Sequence, residues 1–379
     1  MLSAKDNELL TRTGPGTPMG DLFRRYWLPV MLSRELPERE GPPIRVQVLG
    51  ETLVAFRDSE GKVGLVDQFC PHRGAALYYG INHGDGLMCI YHGWRFNVEG
   101  RCIDMPSDLP ESTFKERVRV PAYPTYEAAG MVWAYFGPAD KQPVRPNLYF
   151  CETAEEMVNA TKTPVYCNYL QSLEGNIDST HLGTLHAQYK NQIRPMDGDG
   201  DRPGHPPQPL ASYLRSGIRY TRIDVQDTAY GFRLIAIRET PAGNQFIRIN
   251  NHILPTITLV APVDPWRDGG IVIIVPKDDE NCWRFQVTVR RDHPFTDEER
   301  GDGFGSRRDP DNPELRLQRL DNDFQMDRAA QKMTAIAGIA GIAEQDYCVT
   351  ESMGPIMDRT REHLYPADNA IIRYRQIML

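Results

Sequence analysis

Residues 70–94 read CPHRGAALYYGINHGDGLMCIYHGW. The stretch opens on Cys70-Pro-His72, runs through sixteen residues (73 to 88), and closes on Cys89-Ile-Tyr-His92 with Gly93 and Trp94 behind it. One thiolate and one imidazole come from each of two short segments. Pro71 and Gly74 around the first pair, and Gly93 after the second, place each pair on a tight loop tip between strands. Thiolate and imidazole both suit zinc, so a structural Cys2His2 site is one reading. Ordinary buried cysteines and satisfied histidines are another, although four ligand-type residues at paired spacing rarely coincide by chance. The third is a two-iron, two-sulfide cluster with two Cys on one iron and two His on the other, which needs two such tips. Imidazole in place of thiolate lowers the negative charge and raises the potential, so that such a cluster accepts electrons from a flavin or ferredoxin donor. The turn residues favour the cluster.

The rest of the chain bounds what that cluster serves. At 379 residues it suits two domains, or one large domain with an insertion. A net charge of −8 argues against nucleic acid, whose phosphates need a basic surface. No apolar run approaches the roughly 18 residues of a membrane span, and MLSAKDNELL lacks a signal-peptide apolar core, so a cytoplasmic protein is expected. Seven scattered cysteines argue against a disulfide framework. Cys102, Cys151, Cys167, Cys282 and Cys348 read as plain thiols, and His83 as a solvated turn residue.

The chain divides near residue 150: residues 1–150 hold the cluster loops, and residues 151–379 need a second job. Before the division, IRVQVLG, TLVAFRD and MVWAYFG are strand-like runs between Gly, Asp and Pro turns, and FGPADKQPVRP makes a Pro-rich exit. After it, TAYGFRLIAIRET, NQFIRINNHIL, GGIVIIVPKDD and CWRFQVTVRR alternate as strands. DFQMDRAAQKMTAIAGIAGIAE is helix-like, and ADNAIIRYRQIML ends the chain with Asp368 as its N-cap. The segments 188–210 and 296–314 are rich in Pro, Gly and charge and read as long loops. DGDGD within the first suggests a calcium loop but lacks the closing bidentate Glu.

The strongest clue in the second half is NYLQSLEGNIDSTHLGTLH, residues 168–186. Asp178 and His181 are three apart, neighbours on a helix. His186 lies five beyond His181, about 140° round an ideal helix, but Gly183 lets the helix open and bring both imidazoles to one point. Two histidines and one carboxylate make the facial triad of non-haem Fe(II) oxygenases. A helix with core histidines and a capping Asp is the plainer alternative, and the neighbouring cluster motif argues against it. By residue type, Glu344, Asp346, Glu351 and Asp358 all compete for the carboxylate position. In the strand NQFIRINNHIL, Phe246, Arg248, Asn250 and His252 share one face by two-residue alternation. If that face points inward, Arg248 offers a bidentate partner to a substrate carboxylate. Arg215 and Arg219 are rivals, and an outer sheet face is the alternative for all three.

CPHRGA with CIYHGW resembles the Rieske signature, and from GPGTPMGDLFRRYWLPV to the tail the chain resembles the oxygenase component of Rieske non-haem iron aromatic ring-hydroxylating oxygenases. Its details are closest to the phthalate dioxygenase group, which includes O-demethylases and has no separate small subunit. AEQDYCVTESMGPIMDRTREHL is similar to that group's C-terminal region. The resemblance implies an α+β chain: a β-rich Rieske 2Fe–2S domain, then a catalytic domain whose curved antiparallel sheet is flanked by helices, helix-grip-like. It implies Cys70 and Cys89 on one cluster iron, His72 and His92 on the other, and His181, His186 and Asp346 on a mononuclear Fe(II). It implies dioxygen as co-substrate, a flavin/2Fe–2S reductase as donor with NAD(P)H used only through it, and hydroxylation or O-demethylation of a small aromatic, here a carboxylated one. A homotrimer, single or stacked in pairs, is also implied, because one subunit's cluster meets the next subunit's iron. Asp178 is the implied bridge, accepting from His181 of its own chain and from His92 of the neighbour. A Rieske-type electron carrier without oxygenase chemistry is the alternative, and it leaves Asp178, His181 and His186 unexplained.

Overall fold

The computed structural model describes residues 1–187, 221–239, 245–262, 269–300, 307–312 and 315–379. The chain forms two compact units, Thr13–Glu155 with Val275–Asp278, and Met1–Arg12 with Glu156–Ile274 and Asp279–Leu379. The change of unit falls at residue 155 rather than 150, and the first twelve residues join the C-terminal unit. Hydrogen bonding explains the second difference. The Asn168 amide donates to the Thr11 carbonyl at 2.9 Å, and the Tyr169 hydroxyl to the Leu10 carbonyl at 2.7 Å. These bonds tie the short helix Ala4–Thr11 to the start of the helix Tyr169–Ile177.

The unit around Thr13–Glu155 is β-rich. Trp27–Leu32, Met131–Tyr135 and Thr125–Ala128 make a three-stranded sheet in that order. Ile44–Val48, Glu51–Arg57, Val63–Asp67 and Ala122–Tyr123 make a four-stranded one. Ile81–His83, Gly86–Met88, Arg95–Phe96 and Cys102–Asp104 make another. MVWAY is buried along its whole length, as a run without polar alternation must be. Between Val48 and Glu51, Leu49 and Gly50 both take positive φ (51° and 78°), the two-residue hairpin turn that matches strand twist. Val54, Phe56, Val66, Leu77, Leu87 and Phe96 form one core, and Cys70 and Cys89 lie in the same cluster. Each such apolar side chain contributes on the order of 1.5–3 kcal/mol by burial.

The C-terminal unit is built on a seven-stranded sheet. Its order is Val158–Val165, Cys282–Val289, Ile271–Pro276, Ile257–Leu259, Gln245–Ile253, Gly231–Glu239 and Arg222–Thr228. Ala236 pairs with Arg248, Leu234 with Asn250 and Phe232 with His252, antiparallel. These residues face the interior: Arg248 is 7% exposed, Asn250 4% and His252 1%. Burial pushes His252 down to about 4, so it stays neutral in the core.

Asn168 caps the helix Tyr169–Ile177 by accepting from the Leu170 N–H at 3.1 Å. Glu174 on this helix is buried and takes Arg359 at 3.0 Å and Arg375 at 2.6 Å. Burial pushes its carboxyl up, but the two guanidinium charges outweigh burial and hold it below its ordinary value. Removing one partner from such a buried pair costs about 3–5 kcal/mol.

Residues 323–344 do not make the one helix expected of them. Asp323, Phe324 and Gln325 take positive φ, Arg328–Met333 is one short helix, and Ile342–Glu351 another. Gly338 and Gly341, at φ 64° and 92°, break the path between them. The helix Asn369–Met378 does follow Asp368, but that side chain accepts from the Tyr365 N–H at 2.9 Å and so closes the preceding turn.

Candidate metal centres

The two cluster loops are the same turn built twice. The Cys70 N–H donates to the Ala75 carbonyl, and the Gly74 N–H to the Cys70 carbonyl, at 2.8 and 2.9 Å. Cys89 with Trp94, and Gly93 with Cys89, repeat the pattern at the same distances. Gly74 and Gly93 stand at φ 75° and 78°, the left-handed conformation that this turn needs. The thiols face the core, while His72 is exposed and His92 partly so. The His72 and His92 rings meet edge to face with centroids 4.4 Å apart, and Trp94 stacks on His72, also at 4.4 Å. Burial pushes the Cys70 thiol up to about 11, and neighbouring Cys89 adds to the shift. Two thiolates side by side there need a cation between them. His92 Nδ1 is buried and has no hydrogen-bond partner, as a ligand atom would. His83, by contrast, is exposed beside Glu40.

The second constellation lies in the C-terminal unit. Among the described residues, His181, His186 and Asp346 form the one group of three or more His, Cys, Asp or Glu whose ligand atoms all lie within 4.8 Å of one another. His186 Nε2 is 3.1 Å and His181 Nε2 3.6 Å from Asp346 Oδ1. One metal ion fits between them. The four loop residues do not gather to a single point in this way, as one zinc would require. Their spread in two pairs suits a binuclear cluster.

The route to the second constellation differs from the expected bent helix. The helix ends at Ile177, Asp178 is extended (φ −87°, ψ 120°), and His181–Gly183 is a separate 3-10 turn. Asp178 still reaches His181, with Oδ2 3.3 Å from Nδ1, while Oδ1 accepts from the Thr180 N–H and hydroxyl at 2.6 Å each. A carboxylate leaving the helix and turning back makes the contact that helical spacing was expected to make. Burial pushes His181 down, but Asp178 and Asp346 outweigh it and hold the imidazole above its ordinary value. Burial likewise pushes Asp346 up, and His186 and His181 with Arg284 bring it below. A cavity of about 210 Å³ opens over Asp178, His181 and Asp346, with Asn176, Arg284 and Met353 also in its wall.

Asp346 reaches this point from the helix Ile342–Glu351, and the competing carboxylates do not. Glu351 is paired with Arg316 in the core. Asp358 is exposed and accepts from Thr360, and Glu344 is buried beside Gly341. Arg248 lies on the inner sheet face, whereas Arg215 and Arg219 lie outside the described residues, as does DGDGD. Sequence reasoning passed over Arg238, which is 2% exposed on the same inner face. The alternation Phe232, Leu234, Ala236, Arg238 could have found it. It also passed over Gln345, 2.7 Å from His186 Nδ1 and next in sequence to Asp346.

Comparison with known proteins covers both parts of the chain. Residues 26–124 match the Rieske 2Fe-2S domain, and residues 134–379 the LigXa C-terminal domain like family. The chain is 36% identical to the phthalate 4,5-dioxygenase oxygenase subunit of Pseudomonas putida, over 100% of this chain and 86% of that one. It is 37% identical to the 3-chlorobenzoate-3,4-dioxygenase oxygenase subunit of Comamonas testosteroni, over 100% and 88%. This chain belongs to the Rieske non-haem iron oxygenases. As a Rieske oxygenase it is the terminal oxygenase component, using a Rieske cluster, a mononuclear iron and dioxygen. A third relative, the 5,5'-dehydrodivanillate O-demethylase oxygenase subunit of Sphingobium sp., is 30% identical over 100% of this Rieske oxygenase and 80% of that one. Dicamba monooxygenase bound to dicamba shares the fold at TM-score 0.62 and 17% identity, over 94% of this chain and 96% of that one.

Proposed function

We propose that Cys70, His72, Cys89 and His92 hold the Rieske cluster, that His181, His186 and Asp346 hold the mononuclear iron, and that the substrate is a carboxylated aromatic which the enzyme hydroxylates or O-demethylates. When bound, the cluster supplies single electrons and the mononuclear iron activates dioxygen. The protein's part is to bind, orient and time. The buried thiols and outward imidazoles support a cluster with its histidine end toward solvent, where a donor can reach it.

The substrate reading is carried by Arg248. The residue is 7% exposed, and its guanidinium donates to the Ala261 carbonyl at 3.1 Å and leaves Nε without a partner. Burial, and then the charge of Arg238, push it down to about 10. Arg238 donates to the Ser179 carbonyl at 2.5 Å and leaves Nη1 without a partner. Two buried cations with no carboxylate in contact among the described residues are costly unless an anion joins them. The positive charge of Arg248 is felt at His181, so a carboxylate held there leaves the ring near the metal ligands. Two of the relatives are named for aromatic acids, phthalate and 3-chlorobenzoate.

The natural partner on this reading is a flavin/2Fe–2S reductase drawing on NAD(P)H. The enzyme works as a homotrimer, single or stacked in pairs, in the cytoplasm. Among the described residues no helix is long and apolar enough to cross a membrane. Phe69, Ile90, Tyr91 and Phe114 are at least half exposed; Phe69 directly precedes the first cluster loop and Ile90 and Tyr91 lie within the second, apolar surface suited to a docking subunit. The test is oxygen uptake with aromatic acids, methoxylated aromatic acids and their uncharged counterparts, with product analysis. The acids are the expected substrates. Arg248→Met is expected to raise KM for the best acid by about tenfold or more, the worth of a charge-assisted bidentate pair. An unchanged KM removes Arg248 from the pocket, and equal turnover of uncharged analogues removes the substrate class.

A further inference from the structure

Gln345 precedes Asp346 on the helix Ile342–Glu351, and its amide is held at both ends. Its Oε1 lies 2.7 Å from His186 Nδ1, and its Nε2 donates to the Ile339 carbonyl at 2.8 Å. A backbone carbonyl can only accept, so it fixes the NH2 end of the amide toward Ile339 and the oxygen toward His186. An amide oxygen can only accept too, so His186 Nδ1 carries the ring proton. The free electron pair is then on Nε2, the atom turned toward Asp346 at 3.1 Å. Both residues are buried, His186 at 6% and Gln345 at 9% exposure, so water does not readily replace the contact.

We infer that Gln345 is a positioning residue for the iron, selecting the tautomer and ring angle in which His186 binds metal. The inference rests on the reading of His181, His186 and Asp346 as the iron site. The two imidazoles are held by unlike groups, His181 by the Asp178 carboxylate and His186 by a neutral amide. Asp178 and Asp346 together balance a divalent cation, so position 345 needs only an acceptor for His186 and not a further charge. One stretch of helix thereby supplies a ligand, Asp346, and the orienting group for another ligand.

The experiment is equilibrium dialysis of the full-length protein, with its cluster intact and its mononuclear metal stripped, against Co(II), with bound cobalt counted by elemental analysis. Gln345→Leu is expected to weaken cobalt binding by about 10- to 100-fold, the usual effect of removing a partner of a ligating histidine. Gln345→Glu is expected to stay within a few-fold of wild type, because a carboxylate still accepts from His186 although it cannot donate to Ile339. If Gln345→Leu binds as wild type, the inference fails. If Gln345→Glu falls as far as Gln345→Leu, the residue acts through Ile339 and the inference fails. Should the Leu variant not fold, Gln345→Asn keeps an amide too short to reach, and wild-type affinity in it is equally contrary. Asp346→Ala separates the two levels. It must lose cobalt binding, and if it does not, the iron site itself is misplaced and the role of Gln345 falls with it.

Discussion

Asp178 has one oxygen committed to Thr180 and the other to His181. Thr180 gives two hydrogens to Oδ1, so in Asp178→Asn the retained oxygen stays with Thr180 and the new NH2 faces His181 Nδ1. A donor replaces an acceptor, and a negative charge is removed beside the proposed iron. Fold and cluster loops are untouched, because Asp178 belongs to neither core. We therefore expect Asp178→Asn to keep the cluster absorption and to hold its mononuclear iron less tightly, and even when reloaded with iron to turn over slower by orders of magnitude. Single-turnover reoxidation of the reduced cluster, with substrate and oxygen, checks it, and a wild-type rate would remove Asp178 from the electron path. At this scale the sequence is most legible where chemistry restricts residue type. Cys70, His72, Cys89 and His92 stand out because few other roles put thiol and imidazole in pairs. Arg238 and Gln345 were not legible, because guanidinium and amide groups have many ordinary roles and only their buried placement singles them out.

The elements that carry the ligands are short and end where the ligands begin. The helix before Asp178 stops at Ile177, and the two cluster loops are turns of six residues closed by a left-handed glycine. The loops repeat in backbone but not in surroundings. A Cβ at Gly74 meets nothing within 4 Å, whereas one at Gly93 would lie 2.5 Å from Pro106 Cγ. Gly74→Ala is expected to cost only the left-handed backbone, about 1–2 kcal/mol. Gly93→Ala adds a clash against a ring that cannot swing away, so its melting temperature falls further and cluster absorption is lost. Thermal melts with the cluster band as second signal decide it, and equal losses in the two variants would contradict this account. Strand alternation was legible from Phe232 to His252, since a period of two survives in any register. The helix expected over 323–344 was not there. Its apolar spacing persists, but Gly338 and Gly341 and the left-handed Asp323–Gln325 run interrupt the backbone.

Over the whole molecule, the chain joins a unit carrying four cluster-type ligands to a unit carrying three metal-type ligands. The sequence suggested this pairing because each proposed centre is written in a local motif, with Asp346 alone supplied from a distant helix. What it placed differently is Met1–Arg12, grouped by sequence with residues 1–150 but tied to the C-terminal unit by hydrogen bonds across more than a hundred residues. Two independent ligand sets predict that the centres can be lost separately. The most direct measurement is iron per chain, with the visible spectrum, for the purified wild type and for Asp346→Ala. The wild type should hold the two cluster irons and one more, and the variant should lose only that one, with its red-brown cluster band unchanged and its oxygenase activity gone. A colourless wild type holding zinc, or an Asp346→Ala protein that keeps its full iron and activity, would contradict the account.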